Sequence, residues 1–163
     1  MSNGKTFTLS NGVKIPAVGF GTFASEGAKG ETYAAVTTAL KTGYRHLDCA
    51  WFYLNEDEVG EAMRDFLKEN PSVKRSDIFV TTKVWNHLHR YDDVLWSVEN
   101  SLKRLQLDYV DLFLVHWPIA SEKEDQEHPK IGSDGKVSSH KPPAMRRPAP
   151  SMEIRTQGCG TPG

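Results

Sequence analysis

The chain has 163 residues, 38% hydrophobic and 25% charged, with a formal net charge of −1, which suits one globular domain and leaves little room for two. The near-neutral balance gives no electrostatic pull toward nucleic acid or a membrane surface, and no apolar run nears the roughly 20 residues that span a bilayer. The polar start MSNGKTFTLSNG lacks the apolar centre of a signal peptide, and two cysteines, Cys49 and Cys159, are too few for a disulfide framework; the expectation is a reduced cytoplasmic protein.

Thr6-Phe7-Thr8-Leu9, Asn11-Gly12 and Val13-Lys14-Ile15 read as a β-hairpin on an Asn-Gly turn. Pro16 closes it, and Ala17 to Phe20 reads as a short buried strand. Glu31 to Thr42 reads as a helix with Tyr33, Val36 and Leu40 on one face and Gly43 at its end. Arg45 to Cys49 is a second strand. The next helix carries the clearest pattern: Val59, Ala62, Met63, Phe66 and Leu67 form one apolar stripe, with Asn55 to cap its start and Asn70-Pro71 to stop it. Ile78 to Lys83 is a β-branched strand, and Asp93 to Leu105 repeats the helical pattern through Val94, Val98, Leu102 and Leu105. Tyr109 to His116 is a fourth strand, apolar enough to be buried on both faces.

Every aromatic residue lies at or before Trp117, while 121–163 holds six of the nine prolines. Such a segment buries too little apolar surface to offset the entropy of ordering it. Residues 1–120 are therefore expected to fold, and 121–163 to be a loop running into a disordered tail. Alternating strands and helices predict a parallel sheet. Gly19-Phe20-Gly21-Thr22-Phe23-Ala24 spells G-x-G-x-x-A, the pyrophosphate turn of a dinucleotide-binding fold. In that fold the helix begins at the glycines, because its first amides must face the phosphates. Here Ser25 to Gly30 intervenes, so the glycines are expected to serve a close turn in a barrel.

Polar side chains stand at the C-terminal ends of the expected strands: Asp48 after the second, Lys83 after the third and His116 after the fourth, with Tyr53 in the loop beyond Asp48. In a (β/α)₈ barrel such ends converge on one mouth. Their chemistry suits carbonyl reduction. Hydride arriving at a carbonyl carbon puts negative charge on the oxygen, which then needs a proton and donors. A phenol of ordinary pKa about 10 is a weak acid at neutral pH, and a neighbouring Lys83 ammonium favours proton release from it. Asp48 would hold the lysine, and His116 would donate to the carbonyl oxygen. Taken singly, each has a plainer structural reading, as a sheet-end ion pair or a half-buried aromatic. His87-Leu88-His89 lacks the further ligands of a metal site, and Cys49 reads as a buried small residue.

Gly43 to Gly60, GYRHLDCAWFYLNEDEVG, resembles the first signature of the aldo-keto reductases. TTKVW at Thr81 to Trp85 and DLFLVHWP at Asp111 to Pro118 are similar to two further segments of that family, in the same order. The resemblance covers about residues 5–120. It implies the N-terminal half of a (β/α)₈ barrel behind a hairpin, and NADPH-dependent reduction of aldehydes or ketones, with NADH the alternative cofactor. It carries a catalytic tetrad onto Asp48, Tyr53, Lys83 and His116. Cofactor contacts fall on Gly21, Thr22 and Asp48, and pocket walls on Trp51, Phe52, Trp85 and Trp117. Phe23 stands where many members have tryptophan. The family's later nicotinamide-holding and phosphate-binding segments have no counterpart in this sequence, so exposed sheet edges and self-association through them are expected. The tail after about residue 137 resembles no reductase segment and suits a frameshift or splice change. Two other readings stay open: a non-catalytic fragment that binds a full-length subunit, and an aldolase forming a Schiff base on Lys83.

Overall fold

The computed structural model describes residues 4–24 and 30–139. Its amino-terminal hairpin pairs β1 (Thr6–Thr8) antiparallel with β2 (Lys14–Pro16), placing Phe7 opposite Ile15. The turn takes three residues. Leu9 O accepts from Gly12 N at 2.9 Å, and Leu9 N donates to Val13 O at 2.8 Å. Gly12, at φ +84, takes the left-handed position that closes such a loop.

The other strands form one parallel sheet in chain order: β3 (Phe20–Gly21), β4 (His46–Asp48), β5 (Phe79–Val84) and β6 (Leu112–Val115). Helices α1 (Glu31–Lys41), α2 (Glu56–Glu69) and α3 (Tyr91–Leu105) make the crossovers, with α1 on α2 and α2 on α3. Strand register decides which residues face what. Leu47 lies opposite Val80, and both join a core with Val36, Leu40, Val59, Met63 and Phe66. One residue further along, Asp48 lies opposite Thr81, and Lys83 opposite Leu114, on the face away from the helices. Helices outside and polar strand ends inside are the arrangement of the first half of a (β/α)₈ barrel. No helix among the described residues is long and apolar enough to cross a membrane.

Both outer strands differ from expectation. Ala17 to Phe20 is not a buried strand: only Phe20 and Gly21 enter the ladder, and Val18 is 56% exposed. The fourth strand shortens to Leu112–Val115, with Leu114 40% and Val115 59% exposed. The cause is position. β3 and β6 are the two edges of the sheet, each with a strand on one side only among the described residues, so an apolar sequence there does not secure burial.

Helix ends also hold a difference. α1 has no side-chain cap of its own; the Glu58 carboxylate of α2 accepts from Gly30 N at 3.0 Å and Tyr33 N at 3.1 Å, favourable at a positive helix end. Asn55 occupies the cap position of α2 but makes no side-chain cap bond. Its amide reaches Thr22 O at 2.8 Å and Thr32 Oγ1 at 3.1 Å instead.

Residues 121–139 are more than a solvated loop. They fold back through antiparallel bridges at Ser121–Ser139, Lys123–Pro129 and Ile131–Val137. Ser121 N donates to Asn86 O, Lys123 pairs with Asp93, and His87 Nε2 meets Gln126 O at 3.1 Å. Backbone pairing orders this segment, since Ile131 and Val137 stay exposed. The sequence expectations for 140–163 lie outside the described residues.

Glu56, the first residue of α2, is fully buried and accepts from Thr82 Oγ1 at 2.6 Å. Burial raises its pKa above the ordinary 4.5, against the lowering effect of the Thr82 bond. A raised folded-state pKa means that stability is fully present below 4.5 and is lost as pH climbs through the folded value. Glu56→Gln keeps an acceptor for Thr82 and cannot ionise. Its stability advantage over the wild type should therefore grow as pH rises from 4.5 to 8 in denaturant titrations. A difference independent of pH would show that Glu56 does not titrate across that range.

Candidate active site

The face of the sheet away from the core brings three ionisable groups into one chain. Asp48 Oδ1 lies 2.8 Å from Lys83 Nζ, and Lys83 Nζ lies 3.3 Å from the Tyr53 hydroxyl. The lysine also donates to Cys49 O at 2.8 Å and stands 5.0 Å from the centre of the Tyr53 ring. Adjacent parallel strands produce this. β4 ends at Asp48, β5 runs to Val84, and a side chain two residues past Thr81 lies one step up the same face. Tyr53 is placed by the 3₁₀ turn Trp51–Tyr53, which leads from β4 into α2.

His116 closes the group beyond β6. Its ring meets Tyr53 edge-on at 5.6 Å, Trp85 at 4.9 Å and Phe52 at 6.3 Å. Burial lowers its pKa most, and the nearby Lys83 charge lowers it further against the opposing pull of Asp48. The imidazole is therefore neutral at pH 7, and a neutral imidazole has one N–H to donate.

Aromatic side chains line this mouth. Phe52 stacks on Trp85 at 3.7 Å and 10°, Trp117 lies parallel to the His116 ring at 6.2 Å, and Phe23 meets Tyr53 edge-on at 5.2 Å. Phe52 and Trp117 are exposed. Trp51 is otherwise placed. It is only 3% exposed and packs edge-on against His87 at 5.7 Å, so it has almost no surface to offer a ligand. Gly21, level with Asp48 in the ladder, is open backbone: a Cβ there would meet nothing within 4 Å. Thr22 is 4% exposed, and its N and Oγ1 both reach Asp48 O, at 3.1 and 3.2 Å. Sequence reasoning missed the part Asn55 plays here; a side chain reaching back 33 residues leaves no periodic trace. Cys49 is buried, which pushes its thiol up to about 12, and no group of three or more metal-ligating side chains occurs among the described residues.

A half-barrel with a tyrosine, a lysine, an aspartate and a histidine at its strand ends defines a class of reductase folds. The chain belongs to the aldo/keto reductase family, whose model matches residues 17–139, so the likeness runs beyond residue 120 into the folded-back segment. It is 70% identical over 132 residues to glycerol 2-dehydrogenase (NADP(+)) of Hypocrea jecorina, covering 81% of this chain and 42% of that protein. It is 51% identical over 120 residues to D/L-glyceraldehyde reductase of the same organism, covering 74% and 36%. Among solved structures, the aldose reductase from Schistosoma japonicum superposes with a TM-score of 0.77 at 41% identity, covering 86% of this chain and 45% of that one. A Bombyx mori aldo-keto reductase in complex with NADP gives 0.69 at 38% identity, over 74% and 40%. The chain spans about two-fifths of the length of the curated relatives it matches.

Proposed function

We propose that this chain carries the proton-delivery half of an NADPH-dependent carbonyl reductase acting on small aldehydes or ketones, and that it works in the cytoplasm. The observation that carries the reading is the unbroken line from Asp48 through Lys83 to the Tyr53 hydroxyl. Tyr53 gives its proton to the carbonyl oxygen as that oxygen gains charge. Lys83 stabilises the phenolate left behind, and Asp48 holds Lys83 in place. Neutral His116 donates one N–H to the same oxygen and orients the substrate, while Phe52, Trp85 and Trp117 exclude water from the carbonyl. Bound NADPH supplies the hydride. The open Gly21 backbone beside the partly exposed Asp48 carboxylate fits a polar nucleotide, with Thr22 contributing as the buried support beneath it.

The Schiff-base reading loses support from the same geometry. An ammonium donating to Cys49 O and Tyr53 Oη beside the Asp48 carboxylate offers no lone pair for attack on a carbonyl. The sides of β3 and β6 left unpaired among the described residues favour a second reading beside the first: the chain associates through these edges with itself or with a longer subunit.

An NADPH titration of the 163-residue chain, followed by tryptophan fluorescence, tests the site. Saturable quenching is expected, with Tyr53→Phe binding NADPH equally well but turning over aldehyde on the order of 10²-fold or more slowly. A soluble, folded chain showing no saturable quenching would sink the proposal. Light scattering on the same sample decides the edges, since a strict monomer rules out self-association.

A further inference from the structure

We infer that Asn55 is a positioning residue for Tyr53, bolting the turn that carries the phenol to the end of β3 rather than capping its own helix. The inference builds on the reading of Tyr53 as the proton donor.

Asparagine at this place would ordinarily turn its side chain back onto the first amides of α2, the favoured use of the residue at a helix start. Here no such cap bond forms. The Nδ2 group instead donates to Thr22 O at 2.8 Å and Thr32 Oγ1 at 3.1 Å. Giving up a local bond for two distant ones makes sense if those distant bonds fix something the helix cannot. What lies between Asn55 and β4 is the Trp51–Tyr53 turn. Its backbone ties are short-range, Tyr53 N to Ala50 O and Leu54 N to Trp51 O, and Leu54 leaves it at φ +55. A left-handed leucine persists only where the surroundings hold the chain on both sides. Before Leu54 the chain is held by β4, paired with β5. After it Asn55 supplies the hold, joined by Glu56, which bonds Thr82 on β5, one residue from Lys83.

The anchor point matters as much as the bond. Thr22 is itself fastened to Asp48 O by its N and its hydroxyl. The turn bearing Tyr53 and the strand end bearing Asp48 are thus referenced to the same residue, while Asp48 also holds Lys83. Through Asn55, the spacing between the phenol and the ammonium is set by a closed loop of contacts instead of by the turn alone. Misplacing a catalytic group by about 1 Å can cost on the order of 10²-fold in rate.

Two substitutions separate positioning from capping. Asn55→Asp offers α2 a carboxylate cap that Asn55 does not make but cannot donate to Thr22 O; Asn55→Ser offers a cap without a charge and is too short to span the gap. Both are studied in the 163-residue chain carrying ¹³C-labelled tyrosine. Tyr53, assigned with Tyr53→Phe, is expected to shift in both variants, because its ring lies edge-on to Phe23 and His116. Tyr33, Tyr44, Tyr91 and Tyr109 should hold their positions, and the melting temperature should be kept. Where the wild type reduces an aldehyde with NADPH, kcat should fall on the order of 10²-fold with KM little changed. Tyr53 resonances that stay in place in both variants would overturn the inference. So would a general shift of all five tyrosines with loss of melting temperature, which is the signature of a structural role. A wild type that binds no NADPH removes the reading of function, but the tyrosine spectra still decide the placement.

Discussion

Gly60→Ala should cost the fold on the order of 2 kcal/mol, although alanine is the better helix former by about 1 kcal/mol. Gly60 lies on α2 where α3 ends against it. A Cβ added there would sit 2.6 Å from the Leu105 carbonyl carbon and 2.9 Å from Arg104 O, with Leu105 O nearer still. All three atoms are backbone, so no rotamer change relieves the clash; α3 as a whole must move away. Leu105 and Met63 are core residues at that crossing, and both are buried, so separating the helices opens the core as well. Gly60→Val should remove most of a stability that for a domain totals only about 5–15 kcal/mol. Gly21→Ala serves as the contrast, because a Cβ there meets nothing within 4 Å and should change the denaturation midpoint little. Equal midpoints for wild type and Gly60→Ala in urea titrations would show that the crossing has slack.

The features legible in the sequence are those written in local pattern. The stripe from Val59 to Leu67 announced α2, and β-branched Ile78 to Lys83 announced β5. Local pattern also places Asp48, Lys83 and His116 at or beside the ends of apolar strands, where the structure has them. What escaped is what depends on distant partners. Arg75 joins Asp111 at 3.0 Å and Tyr109 O at 2.9 Å, while the same Asp111 oxygen accepts from Val80 N at 2.9 Å. This clamp at the start of β5 and β6 spans 36 residues and has no periodicity to betray it. Glu58 capping α1 from α2, and Asn55 declining its own helix, are of the same kind. Trp51 shows the reverse error: next to Phe52 and Tyr53 in sequence, it shares their turn but points its ring at His87. The exposure of the outer strands has a simpler cause. Apolar content says that a strand can be buried, whereas its place at the sheet edge decides whether it is.

Lys83→Met should abolish turnover while leaving the fold nearly intact. The apolar stem of lysine is closely matched by methionine, so packing along β5 survives. Lost are the ion pair to Asp48 and the contacts with Cys49 O and the Tyr53 hydroxyl. Asp48 is partly exposed, 40% at its side chain, so water can take over from the ammonium, and the stability lost should be about 1 kcal/mol or less. The proposed proton transfer has no such substitute. Without the ammonium, the phenolate formed when Tyr53 gives up its proton has no cation beside it, and general-acid help worth about 10²–10⁴-fold should disappear from kcat. Lys83→Arg should not restore it, since a planar guanidinium cannot reproduce three donors radiating from one nitrogen toward Asp48, Cys49 O and Tyr53. The decisive comparison is kcat against melting temperature for the two variants. Turnover lost at an unchanged melting temperature assigns Lys83 to the chemistry. Turnover that persists in Lys83→Met would reduce the Asp48–Lys83 pair to a structural tie between strand ends, and the proposed role of Tyr53 as proton donor would then need another source of support for its phenolate.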